Sequence, residues 1–86
     1  MIFYVATLRT IDRRKDEEVL EEHKAYLQKY IDEGKIYAKG PFSDHTGGLV
    51  IYSTKDKQEA REIIENDPVI VHSSRTYELK EWKSNL

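Results

Sequence analysis

The residue best suited to acid–base chemistry is a histidine on the apolar side of a predicted helix at about residues 17–33. At about 100° per residue, the apolar side chains of this helix fall within an arc of roughly 140°. His23 lies within about 10° of the centre of that arc, so it faces the protein interior. A buried imidazole needs a hydrogen-bond partner, because its ring nitrogens otherwise lose their hydration. The apolar arc is formed by Val19, Leu20, Tyr26, Leu27, Tyr30 and Ile31.

A second predicted helix supplies a candidate partner for this histidine. Its inward side chains, Ala60, Ile63 and Ile64, follow i, i+3, i+4 spacing, and the i+7 position is Asp67. Both helices therefore point one ionisable group at the same layer. A carboxylate beside an imidazole fixes the tautomer and orients the ring. The sequence thus predicts an imidazole–carboxylate pair, which is one part of a general acid–base site.

Each of these two residues also has a purely structural interpretation. A histidine on an apolar face is commonly a core residue whose hydrogen bonds are satisfied. An aspartate directly before proline, as in Asp67-Pro68, commonly ends a helix and caps local backbone with its side chain. Taken singly, His23 and Asp67 leave both interpretations open.

Length and charge restrict the classes of function. The 86 residues carry a formal net charge of −2, and they predict a single domain over residues 1–86. A charge this balanced is poorly suited to nucleic acid or to an anionic membrane surface. The apolar opening, residues 2–8, is too short for a secretory core or a membrane span, so we expect a cytoplasmic protein.

The composition also restricts cofactors. The chain has no cysteine, which excludes disulfides, zinc–thiolate sites and thiol nucleophiles. Its histidines, at positions 23, 45 and 72, include no closely spaced pair, and Gly47-Gly48 lacks the Lys-Ser/Thr of a phosphate-binding loop. We therefore expect neither a metal nor a cofactor.

The predicted order of elements is β-α-β-β-α-β. Strands are expected at 2–8, 36–38, 48–52 and 76–82, with Gly40-Pro41 ending or bending the second. Asp56 and Glu59 form a capping-box pair at the start of the second helix. This order is typical of a ferredoxin-like α+β sandwich, an antiparallel four-stranded sheet with both helices on one face.

The strands are apolar on both faces. In the first strand, Ile2, Tyr4, Ala6 and Leu8 line one face, and the opposite face carries Phe3, Val5 and Thr7. Two helices cover only one face of a sheet, so the other would expose a large apolar patch. We therefore expect a homodimer, and the alternative is a monomer whose Tyr and Thr hydroxyls keep that face wet.

Several segments together resemble the YciI-like (YCII-related) family. They are His23-Lys24-Ala25-Tyr26-Leu27, Glu33-Gly34-Lys35-Ile36, Gly40-Pro41-Phe42-Ser43-Asp44 with Gly47-Gly48, Asn66-Asp67-Pro68 and Glu81-Trp82-Lys83. The resemblance implies a ferredoxin-like chain that pairs into a dimeric α+β barrel. It further implies that His23 and Asp67 are a catalytic pair and that the Gly40-Pro41 turn walls the pocket. Removal of HCl or water from a small ring is among the reactions it implies.

The chain departs from this family pattern at two places. Many relatives carry Arg three residues before the histidine, where this chain has Leu20, so an inherited role in binding an anionic substrate is in doubt. A glycine often follows the Asp-Pro segment, where this chain reads Val69-Ile70-Val71-His72-Ser73.

The functional hypothesis is a small-molecule enzyme with a His23–Asp67 acid–base pair acting on a small cyclic or phenolic compound. The chemistry would be lyase- or dehydrohalogenase-like, or hydrolase-like. Gly40, Pro41, Ser43 and Tyr4 are the candidate substrate contacts, although polar turn residues and strand aromatics are ordinarily structural. The alternative is a barrel that binds a small ligand without turnover. A monooxygenase ranks last, because no residue marks a redox centre.

Overall fold

Residues 1–85 form four strands and three helices. In the computed structural model, residues 1–85 are described. The elements are β1 (Ile2–Thr10), α1 (Arg13–Asp32), β2 (Ile36–Pro41), β3 (Gly47–Tyr52), α2 (Lys57–Glu65), α3 (Pro68–Val71) and β4 (Arg75–Lys83).

The four strands form one antiparallel sheet in the order β2-β3-β1-β4. The register pairs Tyr4 with Tyr52 and Ala6 with Val50 across β1 and β3, and Ala6 with Leu79 across β1 and β4. Both long helices pack on one face, so the predicted ferredoxin-like α+β fold is confirmed.

The hydrophobic core lies between this face and the helices. Alternate residues of β1 enter it, as the period of a strand requires, but Ile2 at the end of the sheet is 42% exposed. The buried core residues are Tyr4, Ala6, Leu8, Leu27, Ile36, Val50, Tyr52, Ala60, Ile63 and Ile64.

The opposite face of the sheet carries an aromatic cluster in place of helices. Phe3 is only 4% exposed because it is covered by Tyr37 and Trp82, with ring centroids 4.8 and 5.8 Å away. Tyr37 and Trp82 themselves remain 68% and 43% exposed. This face is therefore apolar and uncovered in the single chain.

Helix α1 begins four residues earlier than the sequence predicted. The Asp12 side chain accepts a hydrogen bond from the Lys15 backbone N–H at 3.0 Å and so caps the helix at Arg13. The polar residues before Glu17, which lie outside the predicted helix, form the first turn of α1. Position 15, the third helical position, is Lys, so the sequence lacks the Glu or Gln of a capping box that would have marked this start.

The segment after α2 also differs from the prediction. Helix α2 ends at Glu65, and Asp67 caps a separate one-turn helix, α3, which is absent from the predicted order of elements. Asp67 is therefore not the next residue of the α2 stripe, as its i+7 spacing suggested. It reaches the same layer from the N-terminus of α3.

Helices α1 and α3 end in the same way with different residues. In both, the residue after the cap has a positive φ and two backbone N–H groups close a Schellman motif. Gly34 (φ 76°) fills that position after α1, and Ser73 (φ 59°) fills it after α3. Ser73 therefore adopts a left-handed backbone conformation that favours glycine.

Candidate active site

His23 and Asp67 form a buried hydrogen-bonded pair. Nδ1 of His23 lies 2.7 Å from Oδ1 and 2.9 Å from Oδ2 of Asp67, and the two side chains are 8% and 1% exposed. An ionised carboxylate only accepts hydrogen bonds, so Nδ1 carries the hydrogen and donates it. In the neutral ring, Nε2 is then the nitrogen with a free lone pair. The predicted juxtaposition of these two residues is present in the fold.

Local structure fixes the Asp67 carboxylate. Its Oδ1 also accepts the Val69 backbone N–H at 3.1 Å, and Pro68 fills the first helical position of α3, where no N–H is needed. The capping interpretation of Asp67 and its pairing with His23 therefore hold together. One carboxylate satisfies a helix end and an imidazole, which holds the ring of His23 in one orientation.

Two tyrosines complete the surroundings of Asp67. Burial, reinforced by the negative charge of Asp67, raises the pKa of Tyr52 far above its usual value. The Tyr52 hydroxyl is buried and has no hydrogen-bond partner within residues 1–85. Burial likewise raises the pKa of Tyr26, whose hydroxyl donates to the Ile63 carbonyl at 2.6 Å. Both hydroxyls therefore stay neutral beside the carboxylate.

His23 opens into a pocket of about 270 Å³ at one end of the sheet. The pocket lies between α1 and the end of the sheet where β1 and β2 finish and β3 and β4 begin. Its volume lies just below the roughly 300–1,000 Å³ of sites for drug-sized ligands, which suits a single-ring compound. The lining residues are Leu8, Leu20, His23, Lys24, Leu27, Lys39, Gly40, Pro41, Gly48, Leu49, Val50 and Arg75.

The predicted substrate contacts divide into two groups. Gly40 and Pro41 line the pocket with His23. Ser43 lies in the exposed turn beyond β2, outside the lining. Tyr4 is 8% exposed within the core cluster, also outside the lining. The strand-core interpretation of Tyr4 and the turn interpretation of Ser43 match these positions.

The other two histidines lie away from the pocket. His45 has a positive φ of 63° in the exposed turn, where Asp44 accepts hydrogen bonds from the backbone N–H and hydroxyl of Thr46. His72 is the exposed C-cap of α3. Within residues 1–85, no group of three or more His, Asp or Glu side chains is arranged to hold a metal.

Sequence reasoning missed a second ion pair at the pocket. Arg75 Nε donates to Oδ1 of Asp16 at 2.7 Å, and its Nη2 donates to Oδ2 at 2.9 Å. Burial opposes ionisation of Asp16, but the hydrogen bonds from Arg75 and Ser74 outweigh it and hold the pKa of that carboxyl below its usual value. Asp16 lies before the predicted start of the first helix, and only the tertiary fold brings the start of β4 to it.

Gly48 also lines the pocket, although it was not among the predicted substrate contacts. A Cβ at this position would lie 2.9 Å from the Gly40 carbonyl oxygen on the neighbouring strand. Only glycine therefore lets β2 and β3 approach closely at the pocket floor. The Gly47-Gly48 pair is part of the family resemblance, but the sequence does not show that its second glycine lies against Gly40.

Every helix formed within residues 1–85 is too short or too polar to span a bilayer.

Comparison with known proteins agrees with the architecture described above. The chain is 32% identical over 81 residues to the uncharacterized protein YjpA of Bacillus subtilis, covering 94% of this chain and 93% of YjpA.

A solved structure shows the same fold. The 5-chloro-2-hydroxyhydroquinone dehydrochlorinase TftG of Burkholderia phenoliruptrix, in complex with 2,5-dihydroxybenzoquinone, superposes with a TM-score of 0.80. The match covers 96% of this chain and 94% of TftG at 22% identity. The family model of the YCII-related domain matches residues 2–83. The chain thus belongs to the YCII-related family.

Proposed function

We propose that this protein is an enzyme in which His23 transfers a proton to or from a small cyclic or phenolic substrate bound in the pocket. The observation that supports this proposal most directly is the 2.7 Å hydrogen bond between His23 Nδ1 and Asp67 Oδ1. It leaves Nε2 as the nitrogen that can act on a ligand. Asp67 keeps the ring in that tautomer and stabilises the imidazolium once a proton has been taken up.

The proposed reaction is an elimination, or a hydrolysis that needs the same proton transfer. In an elimination of HCl, Nε2 takes a proton from the substrate, the electron pair of that bond forms the new double bond, and chloride leaves. This chemistry needs one base with a fixed orientation and a pocket the size of a ring. The dehydrochlorinase named above shares the fold, which supports the choice of the first substrates to test.

The test is a substrate screen with matched histidine variants. For the wild type and His23→Gln, we measure chloride release from 5-chloro-2-hydroxyhydroquinone and related chlorinated rings, and loss of water from hydrated rings. A positioned base contributes about 10²- to 10⁴-fold, so the variant should lose turnover by that factor. His72→Gln changes an exposed histidine outside the pocket and should keep wild-type turnover.

Two results would overturn this function. Equal turnover by the wild type and His23→Gln removes the assigned role of the histidine. Binding of the screened rings with no turnover by the wild type identifies a ligand-binding module, which is the alternative function. The assay uses the full chain in both arms.

The cytoplasmic location stays a prediction from the sequence.

We also propose that the chain forms a homodimer through the open face of the sheet. A shallow apolar groove on this face continues from the aromatic cluster, and family membership supports the pairing. Exposed apolar patches of this kind commonly mark interfaces between proteins. The groove is lined by Val5, Leu49, Ile51, Lys80, Glu81 and Trp82.

Sedimentation velocity tests the homodimer. We expect the wild type to sediment as a dimer and Ile51→Lys as a monomer, because a buried lysine without a partner is strongly disfavoured. Ala25→Lys, at an exposed position on α1, adds the same charge and should leave the dimer intact. A monomeric wild type contradicts the proposal.

A further inference from the structure

We infer that the pocket selects a negatively charged ligand and that Arg75 is the residue that recognises the charge. This inference rests on the proposed function, since it names the substrate class for the same pocket. It is argued from the charges around the pocket, from the geometry of one guanidinium and from the position of its carboxylate partner.

The charged residues that line the pocket are cationic. They are Lys24, Lys39 and Arg75, and no carboxylate of residues 1–85 is part of the lining. Neither lysine forms an ion pair with any residue in this described part of the chain. The whole chain carries a net charge of −2. Asp16 balances the charge of Arg75, so the positive charge of the lining that no described carboxylate balances comes from Lys24 and Lys39, and it is opposite in sign to the net charge of the chain.

Arg75 keeps hydrogen-bonding capacity beyond its ion pair. A guanidinium has five N–H donors in a planar fork. Asp16 accepts two of them, one from Nε and one from Nη2. The remaining three, on Nη1 and Nη2, have no partner within residues 1–85. Since the side chain is 12% exposed and lines the pocket, these donors are accessible to a ligand that enters it.

Asp16 orients the guanidinium from outside the pocket. Its Oδ1 also accepts the Ser74 hydroxyl at 2.9 Å, so the carboxylate is anchored to the residue before Arg75 as well as to Arg75 itself. The two parallel hydrogen bonds hold the plane of the fork. Asp16 is absent from the pocket lining, so an entering ligand meets the guanidinium before it meets the carboxylate.

These features select a small ring that bears a carboxylate or an ionised hydroxyl. Charge-assisted hydrogen bonds from a guanidinium to an oxyanion are about twice as strong as neutral ones, and they strengthen further in a partly buried site. An anionic group held by Arg75 would place the rest of the ring in the cavity that His23 also lines. Recognition of charge and transfer of a proton are thereby assigned to different side chains.

The experiment measures binding, with no turnover required. Two probes of matched shape are titrated into the full chain, the anion 4-hydroxybenzoate and the neutral 4-hydroxybenzamide. Backbone amide shifts of Gly40 and Gly48, two pocket residues, report binding by NMR. We expect the anion to bind about tenfold or more tightly than the amide, which corresponds to a charge-assisted hydrogen bond.

Two variants that break the same ion pair separate recognition from folding. Arg75→Met should lose the tenfold preference for the anion and leave binding of 4-hydroxybenzamide unchanged. Asp16→Asn breaks the pair from the other side, removes a negative charge and keeps the guanidinium, so anion affinity should hold or rise. Arg14→Met, at a side chain 92% exposed on α1, controls for the loss of one positive charge.

Three outcomes would overturn this inference. They are equal affinity for the two probes, equal loss of anion affinity in Arg75→Met and Asp16→Asn, and no pocket shift with 4-hydroxybenzoate up to its solubility limit. Failure here is distinct from failure of the proposed function. The anion preference does not depend on turnover, and loss of turnover in His23→Gln does not depend on the charge of the probe.

Discussion

Two hydrogen-bonded pairs, each made of one carboxylate and one nitrogen-bearing side chain, connect α1 to the chain that follows α2. They differ in the chemistry of the nitrogen-bearing side chain. In the first, His23 on α1 binds Asp67 at the start of α3; in the second, Asp16 on α1 binds Arg75 at the start of β4. In both pairs the nitrogen-bearing side chain lines the pocket and the carboxylate does not. The pairs are reciprocal, since α1 and the chain after α2 each supply one carboxylate and one nitrogen-bearing side chain.

The difference lies in the exchangeable proton. An imidazole gains and loses a proton near neutral pH, whereas a guanidinium keeps its charge. The His23–Asp67 pair is therefore suited to proton transfer, whereas Asp16 holds in place a guanidinium that stays charged and donates hydrogen bonds. Exposure follows the same division, at 8% and 1% for the first pair against 12% and 13% for the second.

The largest expected effect is on turnover in Asp67→Asn. The side-chain amide offers both a donor and an acceptor to Nδ1, so it no longer enforces a free lone pair on Nε2. We expect turnover to fall by about 10²- to 10⁴-fold while the fold is kept, because asparagine still caps α3. Chloride release and circular dichroism check this. Asp16→Asn is the matched control and should lower turnover far less, and equal losses would remove the functional distinction between the pairs.

Stability should also separate the pairs. Asp67→Ala leaves a buried imidazole nitrogen unpaired and removes a helix cap, so the free energy of unfolding should fall by about 2–4 kcal/mol. Asp16→Ala leaves an arginine that water can partly reach, so we expect a loss of about 1–2 kcal/mol. Urea unfolding of both variants gives the comparison. Losses of the same size would show that the greater burial of the first pair has no energetic consequence.

The pH dependence of stability sharpens the comparison for Asp16. Its folded-state pKa lies below the usual value, because hydrogen bonds from Arg75 and Ser74 outweigh the effect of burial. The ionised carboxylate therefore stabilises the folded state above the unfolded pKa of about 3.9, and this contribution is lost as pH falls through the folded pKa. The stability difference between the wild type and Asp16→Asn should shrink in acid. A difference that grows as pH falls would contradict this sign.

The smallest expected effect concerns the turn that joins Asp67 to Arg75. Ser73 holds a left-handed conformation at φ 59°, where relief of strain by glycine should raise the free energy of unfolding by up to about 1 kcal/mol. Gly34→Ser makes the reverse change at the end of α1 and should lower it by a similar amount. Thermal unfolding measures both, and a destabilised Ser73→Gly would show that the serine side chain has a stabilising contact.

The sequence predicted the juxtaposition of His23 and Asp67 for a physical reason. An apolar stripe states which side of a helix faces the core, so an ionisable residue within it must meet a partner there. The alternation of Tyr4, Ala6 and Leu8 places these residues on one face of the first strand, and the structure shows that the helices cover this face. Both signals come from residues close together in the sequence, and the structure shows the side chains on the faces that these signals predicted.

The remaining features depend on contacts that no local pattern encodes. Helix α3 is four residues long and therefore too short to show a helical period. The same limit explains why Asp67 was assigned to the stripe of α2. Arg75 and Asp16 are 59 residues apart in sequence, and only the return of β4 beside β1 brings them together at the pocket.

The most direct test is the protonation of each ring nitrogen of His23, read from nitrogen-15 NMR of the labelled imidazole near neutral pH. The account predicts that in the neutral ring Nδ1 carries the hydrogen and Nε2 does not, and that binding of a ring ligand in the pocket shifts the Nε2 signal. It further predicts that Asp67→Asn disturbs this tautomer. A neutral ring with the hydrogen on Nε2, or an Nε2 signal indifferent to every pocket ligand, would contradict the proposed role of His23.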